Sequence, residues 1–456
     1  MSHRNHSAKK LSSQKSSCKA RCCRSESDSY EEHNRSKNKC SCKPKRISNV
    51  PITITKSGRY CVTRNLQYDD DLVAITIKAN NVSIDFNQFN LSLTNGAAIG
   101  VSGIGFQNIE IKNGTIELKT DVIPTAITSA AILFDNIVKV TIDNIVTNNN
   151  FSGIVINRSE GILITNVTQK NHERSGLSDR PASISITDSF DIIIRDSAMS
   201  ARPSPSSSFT NSNGIVIATS QNIIIQDINM NNVDGGIYLR GTNNVNIDKL
   251  NVSLTPSNPF NFITIGSPTL PSINTIIKNS TFISKGEAIG ADGIILQNGN
   301  DALIQNVILY VNSSPYEPGA ITGAINIGIG PNSFSNVKII DTVVSGPNVD
   351  AIVVGNGNNV TLDNVVVSDA LENNIRLITA RNVTIKNSDV QRGNINGINI
   401  EARSNCNTIS STNIRDNGAG LLINGNNNIV RDSNIYCNVA NVQDTGLNNQ
   451  FVNNIY

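Results

Sequence analysis

His172 is the single histidine outside residues 1–46, and it stands in a charged run with Glu173, Arg174, Asp179 and Arg180. An imidazole beside carboxylates is common equipment for general acid–base work, so His172 with Glu173 or Asp179 forms one candidate set. A solvated charged loop would look the same in sequence, and that plainer reading stands beside the first. A second set is more spread out: Tyr238 and Arg240 lie two residues apart, with Asp234 before them, Asp188 upstream and Asp292 downstream. A base, a phenol and a guanidinium suit proton abstraction next to a substrate carboxylate, whereas an exposed polar strand would carry the same residues without chemistry. The candidate catalytic residues are therefore His172, Asp188, Tyr238, Arg240 and Asp292. A serine–histidine triad and a phosphate-cradling glycine loop are both missing from the sequence after residue 46.

What must position these side chains is a repeat. Residues 348–389 say the same thing twice, about 23 residues apart, which is a solenoid spacing. Ile352-Val353-Val354 is echoed by Ile375-Arg376-Leu377, and Val360-Thr361-Leu362 by Val383-Thr384-Ile385. Alternation with period two marks short strands with one buried face. By this rule Ile237 and Leu239 point inward, and Tyr238 and Arg240 outward. The first run recurs as SGIVI, ASISI, NGIVI, GGIYL, NFITI, DGIIL, GAINI, NGINI and AGLLI, and the second from Ile109-Glu110-Ile111 to Ile429-Val430. The repeats give about fourteen coils at spacings of roughly 21 to 35 residues. One coil cannot bury its aliphatic side chains alone, so the coils must stack. With about five inward aliphatics per coil at roughly 1.5–3 kcal/mol each, losing a middle coil would be severely destabilising. An asparagine follows the second strand at Asn144, Asn166, Asn279, Asn306, Asn364 and Asn387. That position suits a left-handed bend with stacked amides, which explains sequons such as Asn166-Val167-Thr168 better than glycosylation does.

The opening of this region, with Gly58-Arg59-Tyr60 and the strand Asn81-Val82-Ser83-Ile84-Asp85-Phe86, resembles the first coils of right-handed parallel β-helix proteins of the pectate-lyase-like superfamily. The resemblance covers nearly all of residues 47–456 and implies a single-stranded right-handed parallel β-helix. It also implies that the widest insertions, at 168–182, 198–212, 253–261, 283–292 and 310–322, wall a polysaccharide-holding face at mid-solenoid. Hydrolases of this fold show an Asn-Thr-Asp motif, an Asp-Asp pair and Gly-His-Gly, which this mid-solenoid lacks; Asp69-Asp70-Asp71 sits in the first coil. Calcium-dependent lyases carry acidic clusters with an Arg-Pro pair, echoed here by Arg180-Pro181 and Arg202-Pro203 without the acids, so Ca2+ is expected only if the chain is a lyase. Asp85, Asp143, Asp248 and Asp363 fall after second strands, on another face, as solvated structural positions. Members of the fold often trimerise, which makes a homotrimer an expectation by resemblance.

Residues 1–46 are unlike the rest. They hold 13 Lys and Arg against 4 Asp and Glu, and the remainder holds 25 against 32, so the formal charge of +2 hides two regions of opposite sign. So polar a segment cannot offset its ordering entropy and is expected to be disordered. Its basic charge suits nucleic acid or an anionic surface. Cys18, Cys22, Cys23, Cys40 and Cys42 could hold zinc with His33 or link chains, but their spacings match no common zinc motif, and a flexible thiol-bearing tail is the simpler reading. Cys61, Cys406 and Cys437 read as unpaired thiols. Neither a secretory leader nor a transmembrane run is apparent, so the expected location is intracellular or virion- and particle-associated. The functional expectation is a surface or particle-associated solenoid that binds carbohydrate or a structural partner. The alternative is a polysaccharide-active lyase, hydrolase or epimerase.

Overall fold

Runs such as Ser152–Asn157 become strands in which Ile154 and Ile156 are wholly buried and Val155 is half-buried. The computed structural model describes residues 43–119, 129–149, 152–172, 182–201, 213–233, 235–254, 261–284, 288–289, 293–314, 323–328, 331–346 and 349–456. Among these, the first runs form one parallel column of sixteen strands, from Ile52–Ile54 to Ala440–Asp444. The second and third runs of each coil form two further columns joined in one 25-stranded parallel sheet. In several coils the two are continuous, as in Gln107–Leu118, bent at the left-handed Asn113.

Every strand therefore pairs with its counterpart one coil away, for example Ile154 with Ile184 and Val140 with Ile162. Parallel strands connected in this way wind right-handed, and the fold is a right-handed parallel β-helix. Among the described residues the sixteen first-column strands accord with the about fourteen coils read from sequence, with Gly58–Val62 and Gln450–Val452 adding second-run strands at the two ends. The first paired strand, Lys45–Ile47, starts two residues before Ile47.

Rows of inward Ile, Val and Leu fill the interior, with Phe86, Phe134, Phe262, Phe282 and Phe334 as its largest fully buried side chains. Phe262 and Phe282 meet with ring centroids 5.4 Å apart. All six expected asparagines adopt φ near +50° to +55°. Their amides do stack, but often onto aspartates: Asn306 donates to Asn279 at 2.8 Å, while Asn166 donates to Asp143 at 2.9 Å and Asn387 to Asp363 at 2.9 Å. The aspartates that follow second strands thus serve the ladder, as do Asp85 with Asn113 and Asp248 with Asn279.

Two further ladders were not anticipated from sequence. One runs along the bend that enters the second column, where Asn222 donates to Asp191 at 2.9 Å and Asn244 to Asn222 at 3.0 Å. The other is buried: the amides of Ile137, Ser159 and Ser189 each donate to a serine hydroxyl of the next coil, Ser159, Ser189 and Ser220, at 3.0 to 3.1 Å. Each hydroxyl spares a buried amide the cost of lacking a partner.

Candidate functional site

The long insertions all leave the third column and re-enter the first. Thr168–His172 leads to Ala182–Thr187, Phe190–Ala201 to Asn213–Ala218, and Asn243–Leu254 to Ile263–Ile265. Ser272–Ser284 and Gly299–Tyr310 do the same towards Ile294–Leu296 and Gly323–Ile327. Most residues of these insertions, expected to wall a groove, lie outside the described residues; within two of them the short strands Ala288–Ile289 and Ser313–Ser314 pair.

On the outward face of the first column, Tyr238 stands between Val216 and Thr264 and is half-buried, with Ile237 and Leu239 inside. Arg240 is exposed at the end of the same strand, Gly235–Arg240. Asp188 does not lie on the strand. It occupies the left-handed bend after Ala182–Thr187, accepts the Thr219 hydroxyl, and is held through its own amide by Ala218 O at 3.0 Å. Thr219 in turn donates its amide to Arg240 O at 2.9 Å, so Asp188 and Arg240 sit at one end of three successive coils. His172 closes a third-column strand and pairs with Ala201; its side chain lies outside the described residues. Asp234, Asp292, Glu173, Arg174, Asp179 and both Arg-Pro pairs lie outside them as well, as do the tail cysteines and His33.

The strongest arrangement of charge on this face is one that the sequence reading missed. Outward positions in register run Asn326, Val353, Arg376, Asn399 across four coils. Arg376 Nε donates to Glu401 Oε1 at 2.7 Å, and Nη1 to Asp350 Oδ2 at 3.3 Å. Asp350 is fully buried at the start of its strand, whereas the side chains of Arg376 and Glu401 keep 18% and 30% of their exposure. Asp350 Oδ1 also accepts Asn373 Nδ2 at 2.6 Å, and Asn373 Oδ1 accepts Asn396 Nδ2 at 2.7 Å, continuing a buried polar row.

Burial pushes the Asp350 carboxyl above its usual range, and the bonds from Asn373 and Arg376 oppose this without cancelling it. Burial works against the Arg376 cation too, but Glu401 and Asp350 together outweigh it and hold that guanidinium protonated. Arg376 is the one charged residue among the central outward positions of the first column, flanked by Ile375 and Leu377. That was the available signal.

A calcium ion does not fit this cluster, because the two carboxylates are already joined through a cation that would repel it. Among the described residues no group of three or more His, Cys, Asp or Glu gathers as metal ligands. Cys61 is buried, with Sγ 3.5 Å from Val62 O, while Cys406 and Cys437 are exposed thiols at different bends. A hollow of about 450 Å³ on the second column, lined by Ile193, Ile224 and Ile276 with Asn222 and Asn246, has Asp191 as its one ionisable wall residue. It offers no acid–base pair. No helix among the described residues is long and apolar enough to cross a membrane.

Three solved structures are among those similar to the chain. The tailspike protein of E. coli bacteriophage HK620, in complex with a pentasaccharide, is 10% identical with a TM-score of 0.55, covering 87% of this chain and 72% of its own. The periplasmic alginate epimerase AlgG is 9% identical with a TM-score of 0.41, covering 86% and 78%. PfbA, a surface adhesin of Streptococcus pneumoniae, is 13% identical with a TM-score of 0.37, covering 87% and 82%. No protein-family model and no curated protein matches the sequence. The chain thus has the fold of a right-handed parallel β-helix.

Proposed function

We propose that this β-helix is a surface or particle-associated module that binds glycan on the outward face of its first column, around Arg376. The observation that carries the reading is the Asp350–Arg376–Glu401 cluster, fixed at the strands of three successive first-column coils with part of Arg376 and Glu401 open. Planar, hydrogen-bonding side chains on a fixed sheet suit an extended polyhydroxyl ligand. The bacteriophage tailspike was solved with a pentasaccharide, which sets the ligand class to try first.

Binding is favoured over catalysis because Asp350, the one carboxyl here with a raised pKa, is wholly covered and already spoken for by Asn373 and Arg376. Such a group holds its neighbours in place rather than exchanging protons with a substrate. The alternative of a polysaccharide-active enzyme retains one supporting observation, the second carboxyl Glu401 beside it. In the same protein, the basic residues 1–46 would attach to nucleic acid or another anionic surface, with affinity falling steeply as salt rises.

The test incubates the full chain with neutral and uronate polysaccharides, measuring retention by pull-down and fragments by mass spectrometry. Retention of intact polymer supports the binding module. Fragments would make it an enzyme, and retention of nothing would overturn the reading.

A further inference from the structure

The cluster around Arg376 is acceptor-rich and not cationic. One guanidinium faces two carboxylates, and Glu372 adds a further negative charge near Asp350. The neighbouring outward positions are Asn326, Val353 and Asn399, so no second cation stands beside Arg376 in this row. Two of the donor nitrogens of Arg376 are already committed to Asp350 and Glu401.

Two acceptors in this row have no partner among the described residues. Asn326 Oδ1 and Asn399 Oδ1 are both buried without a hydrogen bond. The orientation of the Asn326 amide is set by its Nδ2, which donates to Gly323 O at 3.0 Å and leaves the oxygen over. Asn326 itself is fully buried, two coils from Arg376, and Asn399 stacks directly on Arg376 one coil away, about 4.8 Å along the helix axis.

We infer that the first-column face around Arg376 selects a non-acidic glycan, one that presents hydroxyl or amine donors, and rejects uronate polymers. The inference rests on the glycan-binding reading above. A uronate carboxylate brought to this row would meet Glu401 before it met an unoccupied cation. Repulsion between like charges at such a distance discriminates against the wrong ligand. An amine or hydroxyl would instead donate to the partly open Glu401, the stronger kind of hydrogen bond because the acceptor is charged.

The experiment titrates the full chain with four defined probes of equal length: oligomers of glucosamine, N-acetylglucosamine, galacturonate and mannuronate. Glu401→Gln, nearly isosteric, is titrated alongside, with its melting temperature as a check on folding. Binding of either hexosamine oligomer at least tenfold tighter than both uronates is expected, with Glu401→Gln narrowing that gap roughly tenfold. Uronates bound as tightly as the hexosamines would overturn the selectivity while leaving glycan binding intact. A folded Glu401→Gln with an unchanged gap would equally remove Glu401 from the explanation. No binding of any probe would remove the glycan reading and the selectivity with it.

Discussion

Arg376 and Glu401 are joined at 2.7 Å although 25 residues separate them in the chain. The coil register alone makes them neighbours: Arg376 lies on one first-column strand and Glu401 just past the end of the next. The same guanidinium reaches back one coil to the buried Asp350, so a single cation couples three successive coils.

Removing that cation strands a buried carboxylate. Arg376→Ala should lose about 3 kcal/mol or more of stability at pH 7, since breaking a buried pair costs roughly 3–5 kcal/mol. Urea unfolding monitored by circular dichroism reads this directly. The loss should shrink at pH 4.5, where Asp350 can take up a proton instead. A pH-independent loss would point to packing alone.

Asp350 should also leave a mark on wild-type stability. Its folded-state pKa lies above the unfolded value of about 3.9, so between the two the folded state binds more protons. The contribution of this carboxyl is full below the unfolded value and is lost as pH rises through the folded one. Asp363 and Asp369 act in the opposite sense. Hydrogen bonds from Asn387 and from Arg392 respectively lead in lowering their pKa values, so they stabilise above the unfolded value and lose this as pH falls. Relative to wild type, Asp350→Asn should therefore gain stability as pH rises from 4 to 7. Equal slopes for the two proteins would contradict the assignment.

The bend ladder separates two energies. Asn306 has φ of +53° and donates to Asn279 at 2.8 Å. Asn306→Ala should cost about 2 kcal/mol, with roughly 1 kcal/mol from the left-handed backbone and 1 from the lost hydrogen bond. Asn306→Gly should recover the backbone part only. Equal melting temperatures for the two variants would show that the bend carries no strain.

The buried serines give a cleaner case. Ser189→Ala removes the hydroxyl that receives the Ser159 amide at 3.0 Å. An orphaned buried amide costs about 1–3 kcal/mol, and amide exchange at Ser159 should accelerate accordingly. Unchanged protection there would mean that another acceptor takes its place.

Much of this architecture is legible in the chain. Inward Ile at every second position and Asn after the second strand follow from local rules, and residues such as Ile154 and Asn306 take the places those rules assign. The ladder entering the second column is harder to see because its left-handed position accepts Lys139, Gly161 and Cys406 as well as Asn and Asp. The Arg376 cluster was hidden for another reason. Its partners lie 25 and 26 residues away in opposite directions, and no local pattern tells which outward side chain meets which until the register is fixed. Asp188, one residue past its strand like Glu401, instead takes a left-handed bend and accepts the Thr219 hydroxyl, a placement that only the register reveals.

The most direct test of the binding site compares Arg376→Lys with Arg240→Ala in calorimetric titration, using glucosamine and N-acetylglucosamine oligomers of five units. Lysine keeps the charge but cannot reach Asp350 and Glu401 with the paired geometry of a guanidinium. Binding about tenfold weaker in Arg376→Lys and unchanged in Arg240→Ala is the expected result. Loss confined to Arg240→Ala, with Arg376→Lys binding as wild type does, would move the site to the Tyr238 end of the face and contradict the role given to Arg376.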